Sequence, residues 1–142
     1  MTLHQAHVRF LTLTIPLNIG YIDVHELSIA QSLLDIVVQE AARHGVERVI
    51  RVGVRVGAFS AVVPSALTFS FDLIKEGTVA AEAELAIEEV PLTGRCQDCG
   101  QVLEDMESPI AECPACGSNK IELTQGRELT IAYIETDDTE AA

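Results

Sequence analysis

Two short knuckles constrain this chain more than any other feature: Cys96-Gln-Asp-Cys99-Gly100 and Cys113-Pro-Ala-Cys116-Gly117. Thiolates three positions apart converge on one ion when the chain turns between them. A Gly after the second Cys permits the left-handed backbone that such a turn favours. Residues 100–112 separate the knuckles, enough for a short hairpin to bring them together. Four thiolates around one tetrahedral ion is a structural Zn(II) pattern, with Cys96, Cys99, Cys113 and Cys116 as ligands. Spacing alone leaves iron open as the occupant of the same cage. Two disulfides do not suit a chain without a secretory signal. A catalytic dithiol is disfavoured too, because two knuckles closing on one ion leave no free thiol. The segment around them, residues 94–122, has little hydrophobic content and cannot fold by burial alone, so the metal must hold it.

The flanking sequence is different in kind. Residues 25–44 read as a helix: Leu27, Ala30, Leu34, Val37 or Val38, and Ala41 recur at steps of three and four, with Ser28, Ser32, Asp35 and Gln39 opposite. Gly45 is the stop signal. In residues 46–57 the period changes to two, with Ile50, Val52, Val54 and Val56 on one face and Arg51, Gly53 and Arg55 on the other, which predicts a half-buried strand. Pro64 suits the first turn of a second helix carrying Leu67, Phe71 and Ile74 on one side. Strand alternation returns at 83–90 and again at 127–135. Two helices and three strands make a two-layer α+β unit, two helices packed on a three-stranded sheet, with the four-cysteine zinc-ribbon module inserted before the last strand. The strands at 83–90 and 127–135, joined through the module, are candidates to pair antiparallel at its base. The division is 24–93 plus 123–136 for the α+β domain, 94–122 for the zinc-binding domain and 137–142 for an acidic tail. Residues 1–23 are an extension, able to add an edge strand or to stay disordered.

The formal charge of −13 repels nucleic acid phosphate and anionic lipid and suits basic partners or cations. Within 94–119 Arg95 is the only cation, against Asp98, Glu104, Asp105, Glu107 and Glu112, so this ribbon is a poor nucleic-acid binder. No apolar run is long enough to span a bilayer. Residues 10–22 resemble a secretory apolar region only loosely: Arg9 is the only positive residue before them, Pro16 and Asn18 interrupt them, and no small-residue cleavage site follows. The expectation is a cytoplasmic protein. The remaining candidate ligands are His25 and Glu26 at the start of the first helix. A lone His there is more often a polar boundary residue, and a Glu there is often only a favourable charge near the helix N-terminus. His44 suits the opposite pole in the same way.

Taken together, "HELSIAQSLLDIV", "VGVRVGAFSAVVPSALTFSFDLIKEGTVAAEAELAIEEVP", the double knuckle "CQDCG…CPACGS" and "QGRELTIAYIE" closely resemble the HypA/HybF family, over residues 24–136. The resemblance implies a nickel metallochaperone for [NiFe]-hydrogenase maturation, not an enzyme. It implies delivery of Ni(II) to the hydrogenase large subunit with a HypB-type accessory GTPase, a structural zinc, and the option of a homodimer. By position, His25 is the implied nickel imidazole ligand and Glu26 an adjacent ligand or tuner. The family pattern begins Met-His-Glu, so that the free amine, the next backbone nitrogen and the imidazole chelate one ion. Such nitrogen-rich tetragonal sites suit Ni(II). Here Val24 occupies the Met position with 23 residues before it, and the expectation is a start codon read too early. Val63 also departs from the pattern, where some relatives carry an acidic residue. The rival from another class is an acidic zinc-ribbon adaptor that binds proteins and has no nickel role. It explains the cysteines equally well but not the His-Glu pair.

Overall fold

The computed structural model describes residues 7–16 and 26–138. Nine elements follow in order: β1 (His7–Pro16), α1 (Glu26–Arg43), β2 (Val49–Gly57), α2 (Pro64–Ile74), β3 (Glu84–Val90), β4 (Thr93–Cys96), β5 (Val102–Leu103), β6 (Ile121–Gln125) and β7 (Leu129–Asp138). They form a four-stranded mixed sheet, β1-β7-β2-β3, and a three-stranded one, β5-β4-β6.

Helix α1 buries Ile29, Ala30, Leu33, Leu34, Val37 and Ala41. Leu27, expected inside, is half exposed instead. At 3.6 residues per turn it lies about 80° from the centre of the buried arc, whose far side is filled by Ile29 and Leu33. The helix ends in a left-handed cap at Gly45 (φ +66°). The Val46 N–H reaches Ala41 O at 2.8 Å, the Gly45 N–H reaches Ala42 O at 3.3 Å, and Val46 is buried. This pairing of bonds satisfies two of the carbonyls a helix end orphans. In α2, Pro64 stands in the first turn as expected, and Leu67 and Phe71 are fully buried.

Strand β2 is the axis of the large sheet. It pairs in parallel with β3, from Arg51↔Glu84 to Gly57↔Val90, and antiparallel with β7, from Val49↔Thr136 to Val56↔Leu129. Parallel neighbours need a crossover, which α2 supplies between β2 and β3. This corrects the expected pairing of the strands at 83–90 and 127–135, because β2 stands between them. A bulge between Val49 and Arg51 shifts the alternation, so Val49 and not Ile50 enters the core with Val52, Val54 and Val56. The three expected strands are joined by a fourth. Strand β1 runs antiparallel along the outer side of β7, from His7↔Asp138 to Pro16↔Thr130. Strand β7 itself continues to Asp138, two residues into the span expected as tail.

On the sheet face away from the core, charges pair across neighbouring strands. Arg51 Nη1 is 2.7 Å from the buried Glu135 carboxylate, and Arg55 is 3.3 Å from Glu88. Gly53 makes room for the Tyr133 ring, which a Cβ there would overlap at 2.1 Å.

The chain leaves the large sheet through a tight crossing. The Gly57 N–H donates to Glu128 O at 2.7 Å, the Ala58 N–H to Val90 O at 2.8 Å and the Phe59 N–H to Gly126 O at 2.8 Å. Leu92, fully buried, packs against Gly126. Strands β4 and β6 then rise antiparallel from this crossing, carrying the cysteine knuckles.

Candidate metal centre

Cys96 ends β4, and its backbone N–H bonds Gln101 O at 2.8 Å while the Gly100 N–H bonds back to Cys96 O at 2.9 Å. The second knuckle repeats the design: the Cys113 N–H reaches Ser118 O at 2.7 Å and the Gly117 N–H reaches Cys113 O at 2.8 Å. Gly100 and Gly117 both adopt the left-handed backbone, φ +78° and +75°, which side chains disfavour. The two halves are tied by the Gln97 N–H to Lys120 O at 2.9 Å and by the Ser118 hydroxyl, which donates to the Asp98 carboxylate. Knuckle spacing alone does not predict the Asp98–Ser118 link. Ser118 stood within the "CPACGS" motif, but nothing local marked Asp98 as its partner.

The four sulfurs converge. Cys96 Sγ lies 3.6 Å from Cys116 Sγ, Cys99 Sγ lies 3.5 Å from Cys113 Sγ, and all four lie within 4.8 Å of one another. These are free thiols, well beyond disulfide length. A tetrahedron with Zn–S bonds of ~2.3 Å has edges of ~3.8 Å, close to the two short sulfur pairs and within the 4.8 Å bound on the whole set, so the donor set fits zinc. Cys96 and Cys113 are buried on the inner side of the cage, and Cys99 and Cys116 are exposed.

The crowding splits the thiols. The Cys99 backbone N–H lowers the Cys96 thiol to about 7, against the opposing effect of burial. The Ser118 N–H pulls Cys116 down, but the neighbouring Cys96 thiol, with local desolvation and the Cys99 and Cys113 thiols, outweighs it and pushes Cys116 up to about 12. The Gln101 N–H likewise lowers Cys99, while the Cys113 thiol and burial leave it raised overall. Of the shifted thiols, Cys96 is the readiest to meet a cation, while Cys99 and Cys116 keep their protons until the cation displaces them.

Of the other expected site residues, Glu26 opens α1, where a carboxylate is favoured by the helix dipole. His25 lies outside the described residues, as does His4. Val63 stands at the N-cap of α2, half exposed, with no side-chain cap. His44 is an exposed residue 3.6 Å from Glu40 at the end of α1, a structural position. Among the described residues, the four cysteines are the only metal-competent cluster, and no helix is long and apolar enough to cross a membrane.

Residues 24–136 match the family described as hydrogenase/urease nickel incorporation, metallochaperone, HypA. The chain is 42% identical over 117 residues to the hydrogenase maturation factor HypA of Solidesulfovibrio magneticus, covering 80% of this chain and all of that relative. It is 40% identical over 114 residues to the hydrogenase maturation factor HybF of Salmonella typhimurium, with the same coverage. Among solved structures, the nickel metallochaperone HypA from Helicobacter pylori superposes with a TM-score of 0.58 at 27% identity, over 80% of this chain and 97% of that one. A match spanning both helices, the inserted knuckles and β7 up to Thr136 shows that this chain belongs to the HypA family of nickel-incorporation metallochaperones.

Proposed function

We propose that the protein binds Ni(II) through His25, with Glu26 as second ligand or tuner, and helps insert it into the large subunit of [NiFe]-hydrogenase. In this reading it acts in the cytoplasm beside a HypB-type GTPase and performs no catalysis of its own. The observation that carries it is the family match over 24–136, which begins at the residue before the His-Glu pair. Nickel binds the domain built from α1, α2 and the large sheet, residues 24–93 and 123–136. Zinc fills the cage of Cys96, Cys99, Cys113 and Cys116 in residues 94–122 and is structural. Four thiolates complete its tetrahedron and leave no open position for a substrate. What supports that assignment is the fit of the sulfur spacing to zinc.

The test is metal stoichiometry. Calorimetry should find roughly one Ni(II) per chain, lost or strongly weakened in His25→Ala, while elemental analysis finds one zinc in both proteins. Unchanged nickel affinity in the variant would refute the ligand assignment. No nickel uptake by either protein would favour the adaptor reading.

A further inference from the structure

Beside the metal cage, between β5 and the chain at 104–114, lies a groove of about 850 Å³. Its apolar lining is Leu103 and Met106, partly buried, with Val102 and Ile110 exposed along its edge. Single exposed apolar residues need no explanation. These four line one open groove together, and Ile110 stands 88% exposed at its edge. The groove is built rather than loose. The Met106 N–H is held by Leu92 O at 2.8 Å, the Ile110 N–H by Ser108 Oγ at 3.2 Å, and the metal-ligating Cys113 anchors the far end.

Its rim is acidic. Glu104, Glu107 and Glu112 line the groove with exposed carboxylates, and no Lys or Arg lines it. This selects the occupant. Nucleic acid and anionic lipid are repelled. A second copy of this chain is a poor fit, because it brings 22 acidic residues against nine Lys and Arg. Several of those cations, Arg48, Arg51, Arg55 and Lys75, are already paired with the chain's own carboxylates. We propose that this groove docks a short segment of a partner polypeptide in which apolar side chains are flanked by Lys or Arg. The apolar side chains cover Ile110 and Val102, and the flanking cations meet the three carboxylates. Complementary charge of this kind gives specificity and rapid encounter, while the apolar anchor gives residence. The site is independent of the nickel ligands.

The probe is a labelled peptide carrying Leu-Ile flanked on both sides by Lys-Arg. Its binding to the zinc-loaded full chain is read by fluorescence anisotropy at physiological salt. Two control peptides replace Leu-Ile by Ser-Ser or each Lys-Arg by Glu-Glu. The first peptide should bind at least tenfold tighter than either control. Ile110→Ser and Glu107→Lys should each weaken it at least tenfold. Ile110 is so exposed that its replacement does not threaten folding. Glu76→Lys, the same charge change at an exposed site after α2, should leave affinity within twofold. The proposal is overturned if the Ser-Ser peptide binds equally well, if Ile110→Ser has no effect, if Glu76→Lys weakens binding as much as Glu107→Lys, or if the first peptide shows no binding up to millimolar concentration. Nickel titration of the same variants separates this site from His25, since Ile110→Ser should leave nickel uptake unchanged.

Discussion

Alanine substitution at three glycines separates two costs that the crossing beneath the metal module combines. At Gly45 the backbone is left-handed, φ +66°, but a Cβ would meet nothing within 4 Å. Gly45→Ala should therefore cost only the conformational strain, about 1 kcal/mol. At Gly57 the backbone is not left-handed, but a Cβ would fall 2.2 Å from Gly126 O and 2.6 Å from Arg127 N. These obstacles are main chain pinned by the Gly57–Glu128 and Phe59–Gly126 bonds, so they cannot swing aside as a side chain would. Overpacking of that kind costs up to about 3 kcal/mol. Gly126 carries both penalties, with φ +118° and a Cβ 2.5 Å from the Leu92 Cα. Gly126→Ala should cost about 4 kcal/mol, a large share of the roughly 5–15 kcal/mol that holds a domain folded. Urea unfolding at saturating zinc, followed by circular dichroism, gives the three values if the slope with denaturant stays constant. The expected order is Gly126 worst, then Gly57, then Gly45. A Gly57→Ala protein within about 0.5 kcal/mol of the parent would show that the crossing yields freely and that the close-approach argument is wrong.

Zinc affinity should fall as pH falls. The raised Cys99 and Cys116 thiols each surrender a proton to bind zinc, so affinity should change roughly 100-fold per pH unit from these two alone. Below about 7 the Cys96 thiol is protonated as well, and the dependence should steepen by another factor of about ten per unit. Chelator competition between pH 6 and 8 reads this directly, and a profile without that break would contradict the assignment of Cys96 as the readiest thiolate. At the sheet, Arg51→Met strands the buried Glu135 carboxylate and should cost about 1–3 kcal/mol, below the fully buried case because Arg51 is half exposed. Adding Glu135→Gln should recover part of the loss. Strictly additive losses in the double variant would show that the pair is not coupled.

Much of the structure was legible because its signals are local. The cage follows from spacing within each knuckle, and the two helices follow from apolar residues three and four apart. Where the determinant is distant, the reading failed or stayed open. Ile50 looked like the inward member of its strand, and only pairing with β7 produces the bulge that puts Val49 there instead. Leu27 fell on the apolar stripe by spacing, yet the packed arc of α1 is centered on its other side. Chain neighbours are not sheet neighbours once a crossover intervenes, so β7 lies between β1 and β2 and not beside β3. Strands β4, β5 and β6 span four, two and five residues, too short for alternation to stand out from the sequence around them. His25 rests on resemblance, because a lone histidine in a sequence has no physical signature of its own.

The position of β1 has a practical bearing on any attempt to trim this protein to the span it shares with its relatives. Starting at residue 24 would do more than alter the amine near His25. It would unzip eight register positions from β7, His7↔Asp138 through Pro16↔Thr130, and leave a bare rim of amide and carbonyl groups on the large sheet. Such a rim is a template for self-association, so light scattering on a protein starting at residue 24 should accompany any reading of its nickel stoichiometry. Point replacement within the intact polypeptide keeps the two apart.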